Sequence, residues 1–73
     1  MTDKEKTIQA WKEYNVFMMN IRDNLSKGDD VVITMIRASQ YDMDQVLIDL
    51  HIMDYITATH FDKLRALSFN KGE

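Results

Sequence analysis

The sequence predicts an all-α domain, a small bundle of three or four helices with a long N-terminal helix, and three observations lead to this prediction. The 73 residues contain no Pro and only two Gly, so the tight turns of strand hairpins lack the residues that form them. Apolar residues make up 45% of the chain, which exceeds the content of a disordered segment. These residues recur at helical spacings of three and four. The length allows one domain, residues 1–73, with residues 1–2 and 69–73 expected to fray.

The N-terminal segment predicts a helix over about residues 3–26. Thr2 followed by Glu5 is a capping-box pattern, which marks a helix start, and Lys27-Gly28 supplies a basic last turn and a glycine just past the end. One apolar seam follows alternating spacings of four and three: Thr7, Trp11, Tyr14, Met18, Ile21 and Leu25. Ile8, Val16 and Met19 lie off this seam, so the helix carries more apolar residues than one face holds.

The middle of the chain predicts a shorter helix over about residues 31–39. Asp29-Asp30 offers its N-cap. The β-branched run Val31–Thr34 is compatible with a strand on propensity alone. The helical interpretation is preferred because the apolar residues of the segment keep helical spacing.

The third segment begins at Asp42, which with Gln45 repeats the capping-box pattern. Its apolar residues continue at helical spacing along one seam, but residues 46–52 also alternate between apolar and polar, so a strand remains a rival there. The sequence leaves open whether residues 43–68 form one helix or two. Possible new caps are Asp54, Thr57 and Thr59.

The residue types needed for most catalytic and metal sites are missing. Without cysteine there is no disulfide, thiolate zinc site or thiol nucleophile. His51 and His60 are nine residues apart and fall on opposite faces of a continuous helix, so they cannot share a metal ion. No glycine-rich phosphate loop or nucleophile-elbow serine occurs. The sequence therefore predicts a non-enzymatic protein with no cofactor and no metal.

Charge is unevenly divided along the chain, whose formal net charge is −3. Residues 1–28 carry five basic and four acidic side chains, a balance of +1, whereas residues 29–73 carry four basic and eight acidic ones, a balance of −4. Nucleic-acid binding usually needs a basic stripe, so this class is disfavoured. No apolar run approaches the roughly 20 residues that span a bilayer, and no signal-peptide pattern is present. We expect a cytoplasmic protein with no membrane contact.

The surplus of apolar residues on the first helix predicts self-association, most simply as a homodimer. The leading hypothesis is a small regulatory or adaptor protein, or an inhibitor, that acts by protein–protein contact, in the style of a bacterial, phage or plasmid accessory factor. The residues expected in the core or in this interface are Trp11, Tyr14, Met18, Met19 and Ile21. The acidic middle of the chain predicts a docking surface that steers a partner, formed by Asp42, Asp44 and Asp49.

The alternative hypothesis is a dimeric helix-turn-helix transcription regulator that uses residues 43–67. Its outline would be a helix over 43–50, a turn over 51–54 and a second helix over 55–67. The DNA contacts would be made by Thr57, Thr59, Lys63 and Arg65. His51 in the turn, and Asp54 and Asp62 near phosphates, argue against it.

Overall fold

The structure, a computed structural model, describes residues 2–69, and all of its regular elements are helical. The four helices are α1 (Asp3–Asn24), α2 (Asp29–Ala38), α3 (Met43–Ile52) and α4 (Ala58–Phe69). A single 3₁₀ turn, Leu25–Lys27, extends α1. The all-α prediction with a long first helix is confirmed. Of the ends predicted to fray, residues 1 and 70–73 lie outside the described part.

The predicted start of α1 is confirmed, whereas the α-helix ends at Asn24 and the predicted glycine, Gly28, follows the 3₁₀ turn. The Thr2 hydroxyl oxygen accepts a hydrogen bond from the backbone N–H of Glu5 at 3.2 Å, which caps the helix start. After the 3₁₀ turn Gly28 has φ 121° and ψ 152°, a backbone conformation that residues other than glycine rarely adopt. The chain can therefore leave α1 and its 3₁₀ turn and start α2 one residue later.

The start of α2 corrects one expectation. The helix already includes Asp29 and Asp30, and Gly28 occupies the N-cap position. The two carboxylates are therefore in the first turn, where negative charge is also favourable. The run Val31–Thr34 is helical, as its spacing indicated.

The strand alternative for residues 46–52 is wrong, because α3 runs through the whole segment. Its predicted cap is confirmed: a carboxylate oxygen of Asp42 accepts a hydrogen bond from the backbone N–H of Gln45 at 3.1 Å. The alternating pattern arises because two sides of α3 are apolar. Val46 and Leu50 are buried, whereas Ile48 and Ile52 face outward.

Residues 43–68 form two helices, and a left-handed residue separates them. Asp54 has φ 62°, and its N–H donates to the carbonyl oxygen of His51 while that of Tyr55 donates to the carbonyl oxygen of Leu50, each at 3.0 Å. This pair of bonds is the Schellman pattern that ends many helices. Thr57 then caps α4, because its hydroxyl oxygen accepts from the backbone N–H of His60 at 3.1 Å.

The core is formed by all four helices and the α3–α4 connection. Its buried side chains are Met18, Ile21, Val32, Ile33, Ile36, Val46, Leu47, Leu50, Ile56 and Leu64. From α1 only the C-terminal half contributes, and every residue from 2 to 13 is exposed. The N-terminal half of α1 therefore lies outside the core.

Helices α2 and α4 are joined at both ends. His60 Nε2 lies 2.6 Å from Asp29 Oδ1 where the two helices begin. Where they end, the Arg37 guanidinium donates to the carbonyl oxygens of Leu67 and Ser68, each at 3.3 Å. Because the N-terminal ends of the two helices are in contact, and their C-terminal ends are too, α2 and α4 run parallel.

Candidate protein-interaction surface

Four exposed apolar side chains lie on α1: Ile8, Trp11, Val16 and Met19, which we call the α1 stripe. Trp11 is 67% exposed and Met19 is 47% exposed. Ile8, Trp11 and Met19 lie on one side of a helix with 3.6 residues per turn, and Val16 borders them. No side chain within residues 2–69 buries these four.

The predicted interface set is divided between the core and the surface. Met18 and Ile21 are 1% and 0% exposed, so these two residues belong to the core, which was one of the two alternatives. Tyr14 is half-buried. Met19 is open to solvent because the bundle does not cover its side of α1. Trp11 shares the side of Met18 and is open because it lies in the N-terminal half of α1, which is outside the core.

Tyr14 connects α1 to α3. Its hydroxyl donates a hydrogen bond to the carboxylate of Asp49, and its ring packs edge-on to that of Tyr41 with centroids 4.9 Å apart. Burial raises the pKa of Tyr14 above its ordinary value, and the hydrogen bond and negative charge of Asp49 raise it further. The phenol therefore stays protonated, and keeps donating to Asp49, at alkaline pH values where an exposed tyrosine ionises.

The three residues of the predicted acidic docking surface have different roles. Asp49 is half-buried and also accepts a hydrogen bond from the side-chain amide of Gln45 at 3.0 Å, so it belongs to the internal packing and not to an open acidic surface. Asp42 is exposed but caps α3. Asp44 is exposed in the first turn of α3 and makes no hydrogen bond within residues 2–69.

The four predicted DNA contacts do not form one basic surface. Thr57 is engaged in capping α4, while Thr59 and Lys63 are exposed. Arg65 lies over the ring of Phe69, 5.7 Å from its centroid. Positions 63 and 65 are separated by about 200° around a helix, so their side chains point to different sides.

A shallow apolar cavity between α3 and α4 was not predicted. Its volume is about 160 Å³, and it is lined by Ile48, His51, Ile52 and Phe61. The rings of His51 and Phe61 meet edge to face, with centroids 5.7 Å apart, and Ile52 is 73% exposed. The sequence did contain a sign of this α3–α4 cavity, because Ile48 and Ile52 are apolar residues outside the buried side of α3. Within the alternating pattern of residues 46–52 they suggested a strand, and a second apolar side of a helix was not considered.

Within residues 2–69, no group of three or more His, Cys, Asp or Glu side chains is arranged to hold a metal ion. Among the same residues, none of the helices has the length and apolar character needed to cross a membrane. Comparison with protein-family models, curated proteins and solved structures finds no match to this chain.

Proposed function

We propose that this chain is a small non-enzymatic regulatory or adaptor protein that acts by contact with another protein through the α1 stripe. The observation that carries the proposal is Trp11, which is 67% exposed on a half-helix that the core leaves uncovered. Exposed apolar patches on small proteins mark interaction sites. Tryptophan is among the residues that most often dominate the binding energy of an interface.

The stripe and the acidic residues would have separate roles in binding. Trp11 and Met19 supply apolar area, and the unbranched thioether of Met19 adapts its shape to a partner. Asp42 and Asp44, exposed at the start of α3, supply negative charge that speeds encounter with a basic partner and disfavours acidic ones.

The charge around the stripe favours a protein over a nucleic acid as the partner. Residues 3–13 carry three Lys, balanced by one Asp and two Glu. A neutral helix surface with an apolar strip lacks the clustered positive charge that phosphate groups require. It resembles instead the amphipathic helices that pack into grooves of other proteins.

The test compares Trp11→Ala with Phe69→Ala, since both aromatic side chains are 67% exposed. Each tagged variant is expressed in place of the native chain, crosslinked in the cell, and its partners are quantified by mass spectrometry. We expect at least one protein, a second copy of this chain included, to be recovered equally with the native chain and Phe69→Ala. Recovery with Trp11→Ala should fall at least about tenfold.

Circular dichroism verifies that both variants keep their helix content. If no protein depends on Trp11 for its recovery, the proposed function is wrong.

A further inference from the structure

We propose that the partner of the α1 stripe is a second copy of this chain, and that Trp11 of one copy enters the α3–α4 cavity of the other. The inference rests on the proposed function and names both the partner and its receiving site. Four observations carry it: the shape of the cavity, its position, the spacing of side chains on α1 and α3, and their charge.

The α3–α4 cavity suits an aromatic side chain. It holds about 160 Å³ and is lined by two isoleucines and two rings, and aromatic rings pack favourably edge to face with one another. Trp11 is the single tryptophan of the chain. It is also the most exposed large apolar side chain of α1, so it has the most to gain from an apolar site.

Trp11 does not occupy the cavity of its own chain. Helix α1 meets α3 through Tyr14 and Asp49, and Asp49 lies about 100° around α3 from the neighbouring Ile48. The cavity therefore opens on a side of α3 that α1 of the same chain does not cover. A tryptophan that enters it must come from another molecule.

The side chains of the two helices match in spacing. On α1, Lys4, Ile8 and Trp11 follow each other at intervals of four and three residues, and on α3 the residues Asp44, Ile48 and His51 have the same intervals. With the helices side by side and parallel, Ile8 falls opposite Ile48, and Trp11 falls opposite His51, which lines the cavity beside Ile52. This places the indole at the cavity.

The same alignment brings opposite charges together. Lys4 falls opposite Asp44, the exposed carboxylate that makes no hydrogen bond among the described residues. Helix α3 contains two Asp and no Lys or Arg. Residues 29–73, which provide the cavity, have a balance of −4, so Lys4 of one copy meets a negatively charged surface of the other.

One copy contributes Trp11 to the proposed contact and the other contributes the cavity. A mixture of two variants, each lacking one of these parts, can therefore test the contact. Trp11→Ala removes the inserted side chain but keeps the cavity, and Ile52→Asp spoils the cavity but keeps the tryptophan. Both residues are exposed, so both variants are expected to fold. Because Trp11→Ala contains no tryptophan, all tryptophan emission in a mixture of the two variants reports on Trp11 of Ile52→Asp.

We expect light scattering to show the native chain above its monomer mass of 8.6 kDa and each variant alone as a monomer. Adding Trp11→Ala to Ile52→Asp should restore association and shift the tryptophan emission to shorter wavelength. Adding the Trp11→Ala, Ile52→Asp double variant should do neither. Lys4→Asp and Asp44→Lys should each weaken association of the native chain, and their combination in one chain should restore it.

Three outcomes would overturn the inference. One is a native chain that stays monomeric. Another is association that Ile52→Asp leaves intact. The third is a mixture with no emission shift, which would mean that the stripe pairs with itself or with another surface. None of these contradicts the proposed function, which fails only if no protein depends on Trp11.

Discussion

At the scale of single residues, two side chains that sequence reasoning assigned to a binding surface make hydrogen bonds within the chain. Asp49 accepts from Tyr14 and Gln45, and Thr57 caps α4. Asp and Thr are common both at surfaces and as internal acceptors or caps, so their type does not distinguish the two uses. The use of Asp49 as an internal acceptor depends on Tyr14, which lies 35 residues away in the sequence.

The Tyr14–Asp49 hydrogen bond predicts a loss of stability at alkaline pH. Because the pKa of Tyr14 is raised in the folded chain, the unfolded chain ionises first, at about pH 10. The contribution of Tyr14 to the free energy of unfolding is therefore fully present below pH 10 and is lost as the pH rises above that value. Tyr14→Phe should lower the free energy of unfolding by about 1 kcal/mol at pH 7 and reduce the alkaline loss.

Urea unfolding of both proteins at pH 7 and between pH 10 and 11 measures these effects. Equal stability of the two proteins at pH 7, with identical alkaline profiles, would contradict the role of this bond.

At the scale of helices, the sequence predicted the starts of α1 and α3 more clearly than the break between α3 and α4. Thr2 and Asp42 were recognised as caps because an acceptor side chain precedes a helical pattern by a fixed spacing. The end of α3 depends on Asp54 adopting a left-handed backbone, which only glycine would have indicated clearly. Periodicity also gave the angle of each residue around α1. It placed Met18 on the seam and Met19 off it, but it could not show which of these two sides meets the other helices.

The left-handed backbone of Asp54 predicts that glycine is preferred there. Asp54→Gly should stabilise the chain by about 0.5–1 kcal/mol, because glycine adopts positive φ without a steric cost at Cβ. Asp54→Ala also removes the carboxylate but keeps Cβ, so it should be less stable than the glycine variant by about 1 kcal/mol. Thermal unfolding of the two variants side by side tests this. Equal melting temperatures would mean that the backbone at residue 54 is not strained.

At the scale of the whole molecule, a small core must hold four helices. A domain of 73 residues typically has a free energy of unfolding of roughly 4–11 kcal/mol. Because residues 2–13 are all exposed, the core depends on the remaining part of the chain. Individual buried side chains should therefore account for a large share of the total stability.

Two substitutions on α2 test this dependence. Ile36 is 1% exposed and Val31 is 38% exposed. Ile36→Ala should cost about 2–5 kcal/mol, enough to lower the melting temperature by about 8 °C or more on the scale of roughly 4–8 °C per kcal/mol for a chain of this size. Val31→Ala should change the free energy of unfolding by less than about 1 kcal/mol. Similar losses for the two variants would contradict the assigned core.

The parallel arrangement of α2 and α4 has an electrostatic consequence. Parallel helices place the positive ends of their backbone dipoles side by side, and the negative ends likewise, so the two dipoles repel. Asp29 is in the first turn of α2 and contacts His60 near the start of α4. Arg37 is in the last turn of α2 and binds the final carbonyls of α4. One carboxylate thus lies at both positive ends and one guanidinium at both negative ends, so two side chains on α2 offset the repulsion between the two dipoles.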